Sequence, residues 1–121
     1  PGKEQATRAE FRSPDPSCNP YLTFAAMLQA GLDGIEKDYK LADPIDRNLY
    51  HLTDTERQKM GVDSLPDSLG HAISITEQSE LVKKTFGEHI FPRYIELKKK
   101  EWEEYRIQVT EYELKKYLSI L

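Results

Sequence analysis

Residues 19–35 read NPYLTFAAMLQAGLDGI, and this stretch governs much of the expected architecture. Asn19 suits the N-cap of a helix and Pro20 its first turn, because an asparagine side chain accepts backbone N–H groups and proline has no N–H to satisfy. The residues that follow are apolar nearly all round, and helices of that kind are typically buried. The sequence therefore predicts a buried helix over residues 20–35.

The segment before this helix, residues 1–13, predicts a strand. Within the stretch from Ala6 to Arg12, the uncharged residues at positions 7, 9 and 11 alternate with the charged residues at positions 8, 10 and 12, which is the two-residue period of a strand. Arg8, Glu10 and Arg12 would share one face. A strand face with three charges needs water or ligands beside it.

Downstream of the helix, residues 37–63 show no convincing periodicity and predict a long loop. Within it, Thr53 and Glu56 have the spacing of a capping box, which favours a short helix ending at Lys59.

Residues 64–121 predict a series of C-terminal helices. The first begins near Ser64 or Asp67, and the next runs from Ser79 to Phe86 and stops at Gly87. A long helix follows from Glu88 to Gln108. A second capping box, Thr110 with Glu113, opens a final helix whose apolar end favours a partner surface.

Composition narrows the classes of function. The 121 residues carry a net charge of −4, which gives no electrostatic case for binding nucleic acid or an anionic membrane. No apolar run approaches the length of a membrane span. Cys18 is the single cysteine, so the chain cannot form an internal disulfide, and a reducing, cytoplasmic location is expected.

The charged face of the predicted strand is the one group with clear chemical content. Two guanidinium groups flanking a carboxylate suit the binding of phosphate and carboxylate groups beside a divalent cation. An exposed strand whose charges neutralise one another would explain the same residues without any chemistry.

Longer motifs add a family resemblance. Residues 8–35, which begin RAEFRSPDP and end AGLDGI, resemble the C-terminal signature of class I glutamine synthetases. The resemblance continues through DRNLY at 46–50, LPDSL at 65–69, GEHIF at 87–91 and EWEEYRIQV at 101–109. It implies a mostly α segment with one N-terminal strand, forming the C-terminal part of a larger α+β catalytic domain.

The resemblance also implies chemistry and residue roles. The family makes glutamine from glutamate and ammonia: ATP phosphorylates the glutamate side chain, and ammonia displaces phosphate from the γ-glutamyl phosphate. Glu10 matches a ligand of Mg²⁺ or Mn²⁺, Arg12 a catalytic arginine that contacts glutamate and the reacting phosphate, and Arg8 a position near the nucleotide phosphates. The family's other site residues lie outside this segment, so the chain alone is expected to be inactive.

Tyr50 carries two interpretations. It aligns with a tyrosine that some bacterial members adenylylate. The sequence after it, beginning at His51, resembles the subgroup that is not adenylylated, which favours a loop tyrosine serving in packing.

The partners implied are glutamate, ammonia and ATP, together with further copies of the subunit. In the family, twelve subunits form two hexameric rings, and the C-terminal helix reaches into the opposite ring. Two alternatives stay open: a non-catalytic helical module for interaction or oligomerisation, and a ligase that joins glutamate to an amine other than ammonia.

Overall fold

The computed structural model describes residues 8–120, and the regular secondary structure within them is helical. The helices are α1 (Pro20–Glu36), a short 3-10 helix (Leu49–His51), α2 (Asp54–Lys59), α3 (Leu69–Gln78), α4 (Glu80–Arg106) and α5 (Glu111–Tyr117). The chain divides between Leu65 and Pro66 into two compact units, called here the N-terminal unit and the C-terminal unit.

The predicted N-terminal strand is wrong for the part of it that is described. Residues 8–13 adopt neither helix nor strand, and no strand occurs anywhere in residues 8–120. A strand is stabilised by hydrogen bonds to a neighbouring strand, and this stretch of chain offers none. Ala6 and Thr7, which began the predicted strand, lie outside the described residues.

Helix α1 begins as the sequence predicts. The Asn19 side chain accepts the backbone N–H groups of Tyr21 and Leu22, at 3.0 and 3.3 Å, and Pro20 occupies the first turn. At the other end, Lys37 Nζ donates to Asp33 Oδ2 at 2.5 Å. This hydrogen bond raises the pKa of Lys37. The predicted bounds of the helix hold to within one residue.

The expected burial of α1 is met on one side only. Leu22, Ala26 and Gln29 are half-buried and Asp33 is buried. Several of its largest apolar side chains are exposed in this chain, among them Tyr21, Phe24, Leu28 and Ile35. Many of the apolar side chains on which the prediction of burial was based are therefore exposed.

Residues 37–63 are mostly irregular, as expected, and they contain two short helical segments. The predicted capping box is present: Thr53 Oγ1 accepts the Glu56 N–H at 3.3 Å, and the Glu56 carboxylate accepts the Thr53 N–H at 2.8 Å. Helix α2 ends at Lys59, the residue that the sequence indicates.

The C-terminal unit has a small core between α3 and α4. Ile73 of α3 and Ile95 of α4 are almost fully buried. Gly70 lies so close to the Trp102 ring that an added Cβ would come within 2.7 Å of it. At the surface of the same helix pair, Lys99 Nζ donates to a carboxylate oxygen of Glu77 at 2.6 Å.

Helix α4 bends at Gly87, where the sequence predicts a break between two helices. Gly87 has φ 70° and ψ 176°, a conformation that is essentially restricted to glycine. The rings of Phe86 and Tyr94 meet edge to face across this bend, with centroids 5.5 Å apart. Sequence and structure therefore agree on the position of the break.

The predicted final helix is α5, opened by the Thr110–Glu113 capping box. Its apolar end is exposed, as Leu118 and Ile120 illustrate. Leu121 lies outside the described residues. Across residues 8–120, none of the helices combines the length and apolar character needed to cross a membrane.

Candidate functional site

The predicted site residues lie in the irregular segment that leads into α1. Asp15 shapes its final turn: its carboxylate accepts the Ser17 N–H at 2.7 Å, and its backbone carbonyl accepts the Cys18 N–H at 3.0 Å. Asn19 then caps α1. A local turn and a helix cap thus fix where the charged segment joins the fold.

Glu10 and Arg12 are brought together by an ion pair, although the strand that was to place them on one face is absent from residues 8–120. Arg12 Nε donates to Glu10 Oε1 at 2.7 Å, with side chains that are 83% and 55% exposed, respectively. An ion pair this exposed contributes only about 0–1 kcal/mol to stability. Both groups therefore remain available to ligands.

Arg8 is exposed and is not joined to this pair. Among residues 8–120, no ion pair links Arg8 to a carboxylate. Of the three predicted site residues, Glu10 and Arg12 contact each other, and the Arg8 guanidinium lies apart from them.

Glu10 fits a divalent cation as one ligand of a larger set. Its carboxylate is the hard oxygen donor that Mg²⁺ and Mn²⁺ prefer, and it is accessible. A complete site needs several such donors, and within residues 8–120 no group of three or more His, Cys, Asp or Glu side chains is placed to hold a metal ion. The remaining ligands would have to come from protein beyond these residues.

Tyr50 lies in the 3-10 helix, where its N–H donates to Asn48 Oδ1 at 3.0 Å. Its side chain is 96% exposed, so it does not serve packing within this chain. The hydroxyl is open to a modifying enzyme, and adenylylation stays a prediction.

Two shallow depressions, of 480 and 490 Å³, lie in the C-terminal unit beside Trp102. Near them, His71 Nδ1 and Asp67 Oδ1 are 3.2 Å apart. None of the residues lining these depressions belongs to the predicted site. No local sequence pattern indicates them, because they depend on the packing of α3 against α4, whose contacting residues are distant in sequence.

Comparison with known proteins settles the family. Residues 1–117 match the model of the glutamine synthetase catalytic domain. The chain belongs to this family. A glutamine synthetase from Mycolicibacterium smegmatis is 52% identical over 120 residues, and one from Methanocaldococcus jannaschii is 46% identical over 114 residues. These alignments cover 99% and 94% of this chain.

A solved GmaS/ADP complex, in its first conformation, has a similar fold. It matches 88% of this chain with a TM-score of 0.75 and 33% sequence identity. The match covers 24% of the GmaS chain, so the likeness to known proteins extends from sequence to fold.

The chain spans about a quarter of the length of the curated relatives it matches, namely 27% and 25% of the two glutamine synthetases above. Membership identifies a ligase family of glutamine biosynthesis and nitrogen metabolism, whose enzymes use ATP and a divalent metal. What this chain contributes to such an enzyme is argued below from Arg8, Glu10 and Arg12.

Proposed function

We propose that this chain supplies the C-terminal quarter of the catalytic domain of an ATP-dependent glutamate–ammonia ligase. The observation that carries the proposal is the Glu10–Arg12 pair, which is accessible and lies within a family match covering residues 1–117. The ADP present in the similar GmaS structure supports a nucleotide-binding role for the domain.

In the proposed reaction, a side-chain carboxylate oxygen of glutamate attacks the γ-phosphorus of ATP, and ADP leaves. Ammonia then attacks the acyl carbon of γ-glutamyl phosphate, phosphate leaves, and the surplus proton passes to solvent or a base. A divalent cation, Mg²⁺ or Mn²⁺, would neutralise charge on the transferring phosphoryl group.

Each charged residue of the segment has a separate proposed task. Glu10 supplies one oxygen ligand to the metal. Arg12 is the catalytic and substrate-binding arginine, because a planar guanidinium can bind the carboxylate of glutamate or an oxygen of the reacting phosphate through two parallel N–H groups. Arg8 binds the phosphates of the nucleotide. The chain alone would not catalyse the reaction, since the donors it offers do not complete a metal site within residues 8–120.

The assembly is proposed to be a homo-oligomer, a dodecamer of two hexameric rings, working in the cytoplasm. The exposed apolar end of α5 supports a subunit contact there, because Leu118 and Ile120 would gain free energy by leaving water. A packing module with no chemistry has no need of Arg8, Glu10 and Arg12 in one segment. The names of the relatives favour ammonia over other amines as the substrate.

The test uses a chimera in which this chain replaces the matching 120 residues of the Mycolicibacterium smegmatis enzyme. Glu10→Gln should leave the chimera folded and weaken its apparent affinity for Mg²⁺ by about 10–100-fold or more. Losses of about that size are typical when a residue that only hydrogen-bonds to a metal ligand is replaced, and Glu10 is proposed to be a ligand itself. The matched control is Glu36→Gln, at an exposed position at the end of α1. Turnover by the Glu10→Gln chimera that equals the control at limiting Mg²⁺ would contradict the assignment.

A further inference from the structure

The charged segment at residues 8–12 depends for its position on the turn that follows it. Within residues 8–120, the only hydrogen bond made by residues 8–13 is the exposed one between Arg12 and Glu10. That contact joins two side chains of the same segment and ties neither of them to the rest of the fold. The chain between Arg12 and α1 therefore decides where the two charged groups lie relative to the helix.

Asp15 closes that connection into a turn through two hydrogen bonds. Its carboxylate oxygen Oδ1 accepts the Ser17 N–H at 2.7 Å, and its backbone carbonyl accepts the Cys18 N–H at 3.0 Å. Aspartate is favoured at the first position of such a turn, and proline, here Pro16, is favoured at the second. The side chain of Asp15 thus fixes the turn directly before the Asn19 cap of α1.

Burial and backbone stiffness keep this turn in one place. Pro14 and Cys18, on either side of it, are half-buried, whereas Asp15 is exposed. Because Pro14 and Pro16 each have a fixed φ and also restrict the residue before them, the backbone leading into the turn has few alternative conformations. A stiff turn with half-buried ends therefore holds Arg12, two residues before Pro14, in a defined position relative to α1.

We infer that Asp15 is a positioning residue: by closing the turn, it holds Arg12 and Glu10 where glutamate and the metal ion are to bind. The inference rests on the proposed function, which assigns those two ligands to Arg12 and Glu10. Asp15 acts through the backbone and not by contact with a ligand, since its Oδ1 already accepts a backbone N–H. A displacement of about 1 Å can cost about a hundredfold in rate, so loss of the turn should be measurable in turnover.

Variants of the chimera with the Mycolicibacterium smegmatis enzyme test the inference by their kinetics with glutamate. Asp15→Ala removes the acceptor of the Ser17 N–H and should lower kcat/KM for glutamate by about 10–100-fold. Asp15→Asn keeps an acceptor oxygen without the charge and should stay within about threefold of the parent chimera. The matched control is Asp43→Ala: Asp43 is also exposed and also precedes a proline, but it makes no hydrogen bond within residues 8–120.

A rise in KM for glutamate is the readout that separates positioning from general stability. Unfolding of part of the sample lowers kcat in proportion and leaves KM unchanged, whereas a misplaced Arg12 weakens the binding of substrate. Three kinetic results would overturn the inference: equal kcat/KM for Asp15→Ala and Asp43→Ala, a loss in Asp15→Ala confined to kcat and matched by its unfolded fraction, or an equal loss in Asp15→Asn. The last result would make the carboxylate charge responsible, and not the turn.

Amide hydrogen exchange of the isolated chain tests the turn without any catalytic activity. The amides of Ser17 and Cys18 should exchange about three- to tenfold faster in Asp15→Ala, and close to the parent rate in Asp15→Asn. Unchanged exchange in Asp15→Ala would overturn the inference, because the carboxylate would then not be holding the turn. A parent chimera without ligase activity would count against the proposed function alone, since the exchange rates still decide whether Asp15 fixes the turn.

Discussion

The two units of this chain solve the problem of burying apolar surface in different ways. In the C-terminal unit, α3 and α4 cover each other around Ile73 and Ile95, and Trp102 rests on Gly70. In the N-terminal unit, the longest helix leaves Phe24 and Leu28 exposed. The C-terminal unit therefore holds a core of its own, whereas α1 leaves much of its apolar surface exposed.

The largest expected effect contrasts one apolar side chain from each unit. Ile73→Ala should lower the free energy of unfolding of the C-terminal unit by about 2–5 kcal/mol, because it removes buried methyl groups and leaves a cavity. Phe24→Ala in the isolated chain should change stability by no more than about 0.5 kcal/mol, the usual range for surface positions. Thermal and urea unfolding, followed by circular dichroism, measure both. Similar losses for the two variants would break the distinction between the units.

A smaller effect is expected when a helical glycine is replaced by alanine in each unit. Gly70→Ala should destabilise the C-terminal unit by about 1–3 kcal/mol, since the added methyl group would force Trp102 away from α3. Gly31→Ala should stabilise α1 by up to about 1 kcal/mol, because the site is open and alanine is the better helix former. Fluorescence of Trp102, the only tryptophan, reports the first change, and circular dichroism reports the second. Effects of the same sign would contradict this reading.

The smallest effect should be shared by the two units, because helix capping is local. The Thr53 hydroxyl, and then its backbone N–H, lower the pKa of Glu56 below its ordinary value of 4.5. The Thr110 backbone N–H and hydroxyl likewise lower the pKa of Glu113. A lowered pKa in the folded state means that each carboxylate stabilises its helix above pH 4.5 and loses that contribution as the pH falls through the folded pKa.

Two-dimensional NMR of the Thr53 and Thr110 amides should therefore show both capping boxes opening below pH 4.5. Glu56→Gln is the control: glutamine can still accept the Thr53 N–H but does not titrate, so the Thr53 signal should become insensitive to pH in this range. A Thr53 amide that shifts equally in both proteins would show that Glu56 is not the titrating group.

Features that depend on residues close together in the chain could be predicted from the sequence, whereas features that depend on distant residues could not. The sequence predicts helix starts at Asn19, Thr53 and Thr110 because capping involves residues within one turn. It predicts a break at Gly87, whose backbone conformation in the structure is nearly exclusive to glycine. The strand predicted over residues 1–13 is wrong in its described part, residues 8–13, for the opposite reason. Alternation describes which face each side chain would take, but a strand also needs a neighbour to pair with.

The candidate site shows the same division. The two-residue period puts Glu10 and Arg12 on one strand face; the structure joins them by an exposed ion pair without forming that strand. The contact of Gly70 with Trp102 joins residues 32 positions apart, and no local pattern indicated it. Family motifs supplied the roles of Arg8, Glu10 and Arg12, which physical reasoning on the residues alone left open.

Amide hydrogen exchange of α1 and of the α3–α4 pair, in the isolated chain and in the chimera, tests most directly whether the two units differ in this way. Amides around Ile73 and Ile95 should be protected in both proteins, because their core lies within the chain. Amides of α1 between Phe24 and Ile35 should exchange rapidly in the isolated chain and become strongly protected in the chimera. Equal protection of α1 in the two proteins would contradict the contrast between a helix with exposed apolar side chains and a helix pair that buries its own core.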